Sequence, residues 1–126
     1  MHNVIRTAIV TLNREDVVGT LLREYPAIAD DLQDETWAGL LHLEIACFAR
    51  HTQKQIDSGN KSELVRCYST ARHFLMNGDP EVTNALYVSY LEHIDFHDGK
   101  NMRSWAKALL PEPLATGYRE IWGAEP

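Results

Sequence analysis

Residues 36–57 read TWAGLLHLEIACFARHTQKQID, and no other segment is long enough or apolar enough to form a central helix. At about 100° per residue, the apolar side chains of this segment fall on two separate faces of a helix. These faces comprise Leu41, Ile45, Phe48, Thr52 and Ile56 on one side, and Leu40, Leu43 and Cys47 on the other. A helix at the edge of a domain is apolar on a single stripe, so two stripes predict a long helix packed between its neighbours.

The chain after this segment contains two tight turns with strong capping signals. Gly59 suits the C-terminal end of the long helix, and Asn60 followed three residues later by Glu63 is the pattern of a capping box. The sequence GDP at residues 78–80 again ends one helix and starts the next. Two further helices are therefore predicted, over 61–77 and from 80 to about 94. Such short turns make the three helices antiparallel in chain order.

Shorter helices are predicted on both sides of this trio. Asn13 resembles an N-cap with Asp16 at the third helical position, which starts the first helix. Asn101 is expected to cap a short helix, and residues 113–122 form a last one. No segment of five or more residues alternates strictly as a strand does, so the predicted class is all-α. We expect a single domain over residues 1–126, built as a multi-helix bundle or as stacked antiparallel helical hairpins around the long helix.

Composition narrows the class of protein further. The chain has 126 residues, of which 44% are hydrophobic and 24% charged, as in an ordinary globular domain. Its net charge of −6 does not indicate a basic surface that would bind nucleic acid or an anionic membrane. The charge favours a basic partner or none. No apolar run approaches the roughly 20 residues that span a bilayer, and the N-terminus lacks the uninterrupted apolar core of a secretory signal. A cytoplasmic protein without a cofactor is expected.

Thiol chemistry is one candidate activity. Counting outward from the turns at equal rise per residue places His51, Cys67 and Tyr90 at about one level of the helix trio. A nearby imidazole lowers the pKa of a thiol, which is the minimum for a thiolate nucleophile. The commoner role for Cys67, in the apolar stripe of its helix, is that of a small buried hydrophobe.

A metal site is the second candidate. His93 and His97 stand four residues apart with acidic neighbours, and two histidines one helical turn apart chelate divalent metals. The predicted helix ends near Asp95, which would turn His97 away from His93, so the leading expectation is no metal. The alternative function is thus a small metal-dependent or thiol enzyme that uses His93 and His97 or Cys67.

Glu44 is a carboxylate in the middle of the most apolar segment. A buried carboxylate is costly unless it is paired, so Glu44 is expected to fix helix register through a hydrogen bond or an ion pair. Counting places it near Phe74 and Asn84, with Arg72 or Arg50 as the predicted partner.

The densest cluster of charge leads into the long helix, and the tryptophan that opens this helix is grouped with it. The residues of this cluster are Asp30, Asp31, Asp34, Glu35 and Trp37. The dipole of the following helix accounts for the last two carboxylates but less well for the first two. Surplus carboxylates steer a basic partner, and tryptophan often dominates interface energy. These five residues form the predicted partner-binding surface.

Four short motifs carry a resemblance that covers most of the chain. They are Tyr25-Pro26, Leu41-His42-Leu43, Gly78-Asp79-Pro80 and Leu91-Glu92-His93. With them the chain resembles a family of small, uncharacterised bacterial helical proteins known as a domain of unknown function. That resemblance implies no activity and no catalytic residues. Small acidic helical proteins also resemble, by type only, the immunity proteins that neutralise bacterial toxins.

The leading functional hypothesis is a non-enzymatic interaction protein. The motifs GxxxxGK[ST], GxGxxG and GxSxG are all missing, which lowers the nucleotide-enzyme and hydrolase classes. An immunity or adaptor protein that binds a basic partner, such as a toxin, fits the acidity and the small size.

Overall fold

The computed structural model describes residues 11–36, 38–98 and 101–123, and the fold is all-α, as predicted. The helices are α1 (Arg14–Glu24), α2 (Ala29–Leu32), α3 (Leu41–Ser58), α4 (Lys61–Asn77), α5 (Pro80–Ala85), α6 (Ser104–Ala108) and α7 (Leu114–Trp122). A 3-10 turn, Pro26–Ile28, precedes α2, and α5 continues as a π-helical segment, Leu86–Tyr90, and a 3-10 turn, Leu91–His93. A two-residue hairpin, β1 (His97–Asp98) with β2 (Asn101–Met102), joins this unit to α6. None of the described helices has both the length and the apolarity needed to cross a membrane.

Helix α3 is the central element, as the two-stripe pattern predicted. The ring of Phe48 lies 5.1 Å from that of Tyr25, 6.2 Å from that of Phe74 and 5.2 Å from that of Tyr90, so it touches aromatic side chains from three directions. The first apolar face predicted for α3 is buried along the whole length of the helix. Contacts with α1, α4 and α5 together surround this face and form the core.

The start of α3 differs from the prediction. The helix begins at Leu41 rather than at Thr36, because Gly39 adopts a left-handed backbone with φ of +95° that a right-handed helix cannot contain. Two residues of the predicted second face, Leu40 and Leu43, are 53% and 44% exposed, although Cys47 is buried. The second stripe is therefore wrong at its N-terminal end, where the chain enters α3 from an exposed turn.

Helix ends with local capping signals match the sequence well. Asn13 is the predicted N-cap of α1 and forms a capping box with Asp16, and Gly59 ends α3 with φ of +73°. Asn60 accepts the N–H of Glu63, which is half of the predicted box, while the Glu63 side chain contacts other residues. Helix α4 has the predicted bounds, and Cys67 is buried on its apolar face, as predicted.

The C-terminal third holds one correction. Asn101 does not cap a helix, because it pairs with Asp98 in the hairpin. Arg103 instead occupies the N-cap position of α6. The last helix, α7, lies within the predicted range 113–122, and Pro113 occupies its N-cap position.

Gly19 gives a stability test of the fold. It lies inside α1, and a Cβ atom built on it meets nothing within 4 Å. Glycine in a helix interior is less stable than alanine by about 0.5–1 kcal/mol, so Gly19→Ala is expected to raise the free energy of unfolding by about that amount. Urea unfolding with an unchanged slope measures it. A loss of stability would contradict the open space beside this position.

Candidate functional site

The four carboxylates of the predicted partner-binding surface are exposed. We define the acidic segment as residues 30–40, which run from α2 to the start of α3. Every described residue from Gln33 to Leu40 is exposed, as are Asp30 and Asp31. The Asp34 carboxylate accepts the backbone N–H of Thr36 at 2.8 Å, and hydrogen bonding to Thr36 lowers the pKa of Asp34. Trp37 lies outside the described residues.

Two leucines extend this surface with apolar area. Leu40 ends the acidic segment and Leu43 lies in the first turn of α3, and both are exposed. Between them in sequence, His42 reaches Ser89 on the π-helical segment, with 2.9 Å between its Nδ1 and the serine Oγ. Sequence reasoning placed both leucines in a buried face and so missed them as candidates for recognition.

Glu44 anchors the acidic segment to the rest of the fold. Its side chain is 1% exposed, and it accepts hydrogen bonds from Arg14 Nε at 2.9 Å and Nη2 at 2.7 Å. A third bond, at 2.8 Å, comes from the backbone N–H of Gly39. The hydrogen bond with Glu44 also raises the pKa of Arg14. Glu44 is thus paired and buried, as expected, and it joins α1 to the entrance of α3.

The partner of Glu44 differs from the two arginines predicted. Arg72 donates to the carbonyl oxygen of Glu112, and Arg50 donates to the sulfur of Cys47 at 3.2 Å. Counting from the turns covers only α3, α4 and α5, whereas Arg14 comes from α1. The packing of α1 across the start of α3 is a tertiary contact, and counting residues outward from the turns cannot predict it.

His51 and Cys67 come together between α3 and α4, as the register predicted, and Glu63 joins them. Ligand atoms of these three side chains lie within 4.8 Å of one another. The His51 Nε2 is 3.2 Å from a carboxylate oxygen of Glu63. This carboxylate also accepts from Arg66 Nε at 3.0 Å and Nη2 at 3.1 Å. These hydrogen bonds, from Arg66 above all, lower the pKa of Glu63.

This geometry does not favour Cys67 as a nucleophile. Its side chain is 0% exposed, and burial raises the pKa of the thiol to about 11, which hydrogen bonds with Thr52 and Tyr25 offset only in part. A reactive cysteine needs a lowered pKa and access to a substrate. Burial likewise raises the pKa of Cys47.

His93 and His97, the alternative metal-binding pair, do not lie on one helix. The helical path ends at His93, and Ile94 is extended, so the spacing of one helical turn is not realised. His97 instead contacts Asp95 through its ring Nδ1 at 3.2 Å and its backbone N–H at 2.9 Å. Within the described part of the chain, the three potential metal-binding side chains that lie together are those of His51, Glu63 and Cys67.

Comparison with known proteins gives a family and no activity. No curated protein and no solved structure matches the chain. One family model, described as Domain of unknown function (DUF7674), matches residues 18–123. The match includes all four motifs on which the sequence resemblance depends. The chain therefore belongs to the DUF7674 family.

Proposed function

We propose that this protein is a non-enzymatic interaction module that binds a basic protein through the acidic segment, residues 30–40, together with Leu43. The observation that carries the proposal is the exposure of the whole stretch from Gln33 to Leu40 in its described part. A basic toxin held inactive by this protein, as an immunity protein holds it, is one such partner. A basic client of an adaptor is another.

Charge and apolar area are combined on this surface in the way that interfaces require. The carboxylates of Asp30, Asp31, Asp34 and Glu35 are exposed, on a chain of net charge −6. Such charge speeds encounter with a basic partner and disfavours acidic ones. Leu40 and Leu43 supply area for an apolar centre, where burying a leucine contributes about 1.5–3 kcal/mol.

Two backbone N–H groups of the segment are also hydrogen-bonded before any partner arrives. The Glu44 carboxylate accepts the Gly39 N–H, and the Asp34 carboxylate accepts the Thr36 N–H. A segment that is ordered in advance loses less conformational entropy on binding, so more of its contact energy is available as affinity.

Charge reversal tests the proposal. The partner is first isolated from cells that carry the natural gene and identified by mass spectrometry. Its affinity is then measured by calorimetry for the wild type and for Asp30→Lys/Glu35→Lys. We expect the variant to bind about tenfold more weakly at low salt and to differ less at high salt, with a nearly unchanged thermal midpoint. Asp31 is left intact because it lines a cavity with Arg50 and Lys54.

The matched control is Glu92→Lys/Glu120→Lys, which changes the net charge equally at two exposed helical positions outside the acidic segment. This control is expected to bind like the wild type. Equal weakening by both double variants would assign the effect to net charge alone. Unchanged affinity in the first variant, or a search that recovers no basic protein, would contradict the proposal.

A further inference from the structure

The cluster of His51, Glu63 and Cys67 has no part in the proposed interaction surface. His51 comes from the middle of α3, and the other two come from the first half of α4. The two helices are joined by the tight turn at residues 59–60, so they lie side by side and antiparallel. Three different ligand types, an imidazole nitrogen, a carboxylate oxygen and a sulfur, meet in the seam between them.

We propose that His51, Glu63 and Cys67 form a binding site for one divalent transition-metal ion, with zinc as the ion that fits the donor set best. Zinc binds sulfur, imidazole and carboxylate ligands, whereas magnesium and calcium prefer oxygen alone. Three protein ligands leave a fourth tetrahedral position for a water molecule.

The distances between the three ligand atoms suit a small ion. Around a tetrahedral zinc ion, with metal–ligand distances near 2.0–2.3 Å, neighbouring ligand atoms lie about 3.3–3.6 Å apart. The His51 nitrogen and the Glu63 oxygen are 3.2 Å apart, and no pair in the cluster exceeds 4.8 Å. Side-chain movements of about 1.5 Å or less therefore complete the site, without a change in either helix.

Neighbouring groups hold two of the ligands in position. Arg66 donates to both oxygens of Glu63, at 3.0 and 3.1 Å, which fixes the plane of that carboxylate. The His51 imidazole packs edge-on against the ring of Tyr25, with 5.4 Å between the ring centroids. Outer groups of this kind orient metal ligands and contribute substantially to metal affinity.

The charges also balance. A thiolate and a carboxylate bring two negative charges, which a divalent ion neutralises, while a neutral histidine adds none. Without an ion, the buried Cys67 keeps its thiol proton, and Glu63 is already paired with Arg66. Binding of the ion at neutral pH therefore releases the thiol proton to solvent.

Cobalt provides the direct test, because a cobalt–thiolate bond produces a charge-transfer band in the near ultraviolet. Protein purified without a histidine tag is titrated with Co²⁺ alone. We expect the band to saturate at about one ion per chain and to disappear when Zn²⁺ is added. We also expect Zn²⁺ to raise the thermal midpoint of the wild type, since it binds the folded form.

Variants locate the ion. Cys67→Ser is expected to abolish the band, and Glu63→Gln to weaken Co²⁺ binding by about tenfold or more. Circular dichroism checks that each variant folds, and Glu63→Gln decides the outcome if Cys67→Ser does not fold. Cys47→Ser and His93→Ala/His97→Ala are the matched controls, and both should bind Co²⁺ like the wild type. Absence of the band in the wild type, its survival in Cys67→Ser, unchanged binding in Glu63→Gln, or its loss in either control would overturn the proposal.

Discussion

Replacing Gly78 with alanine is expected to lower the free energy of unfolding by about 2–4 kcal/mol. An ideal Cβ atom at this position would lie 2.3 Å from Val82 Cγ1, 2.7 Å from Val82 Cβ and 2.6 Å from the carbonyl oxygen of Phe74. Contacts this short cannot persist, so the backbone around the turn between α4 and α5 must move.

The surroundings of Gly78 leave little freedom for that movement. Its N–H donates to the Phe74 carbonyl at 2.8 Å, which ends α4. On either side, Leu12 donates to the carbonyl oxygen of Asn77 and accepts from the N–H of Asp79, both at 2.8 Å. Val82 is fully buried. A methyl group at position 78 therefore disturbs the end of α4, the start of α5 and the attachment of Leu12 together.

Urea unfolding of Gly78→Ala beside Gly117→Ala measures this effect. At Gly117 the added Cβ meets only side-chain atoms, Tyr87 Cε1 at 2.8 Å and Leu91 Cδ1 at 2.9 Å. Those side chains can turn aside, and alanine favours the helix, so we expect a loss of at most about 1 kcal/mol. Similar losses in the two variants would show that backbone crowding at the turn is not the dominant cost.

The parts of the fold that the sequence predicted are those with local causes. Helix α4 begins after Asn60, which caps it, and ends at Gly78, and both signals lie within a few residues of the ends that they define. The start of α3 was predicted wrongly because it depends partly on a residue that is distant in sequence. Gly39 takes its left-handed conformation while it donates to Glu44, and Glu44 in turn is held by Arg14 of α1. Spacing of apolar residues does not carry that information.

The same division applies to the candidate sites. The level shared by His51 and Cys67 was predictable, because the short turn at residues 59–60 fixes the register of α3 against α4. Glu63 was predicted as a capping residue, so the role of its side chain beside His51 was missed. The exposure of Leu40 depends on where the chain leaves its helical path, which periodicity alone does not define.

Loss of Arg14 is the second change with a large expected effect. Arg14→Met leaves the Glu44 carboxylate buried without its cation, and breaking a buried ion pair in this way costs about 3–5 kcal/mol. Since the Arg14 side chain is 33% exposed, water screens part of the pair, and we expect a loss of about 2–3 kcal/mol in the free energy of unfolding. Urea unfolding at neutral pH measures it.

The double variant Arg14→Met/Glu44→Leu separates the two contributions. With both charges removed, no uncompensated carboxylate remains in the core, so part of the lost stability should return. A double variant that is less stable than Arg14→Met alone would contradict this account and would mean that the bond from Gly39 to Glu44 matters more than the ion pair.

Glu44 also connects stability to the proposed interaction surface. Glu44→Leu removes the acceptor of the Gly39 N–H, whereas Arg14→Met keeps it. Hydrogen exchange at Gly39 should therefore become faster in Glu44→Leu than in Arg14→Met. If the acidic segment is ordered in advance for binding, only the first variant should lose affinity for the basic partner beyond what its stability explains. Equal exchange at Gly39 in both variants would show that Glu44 does not order the acidic segment. Recognition would then depend on the exposed carboxylates and leucines alone.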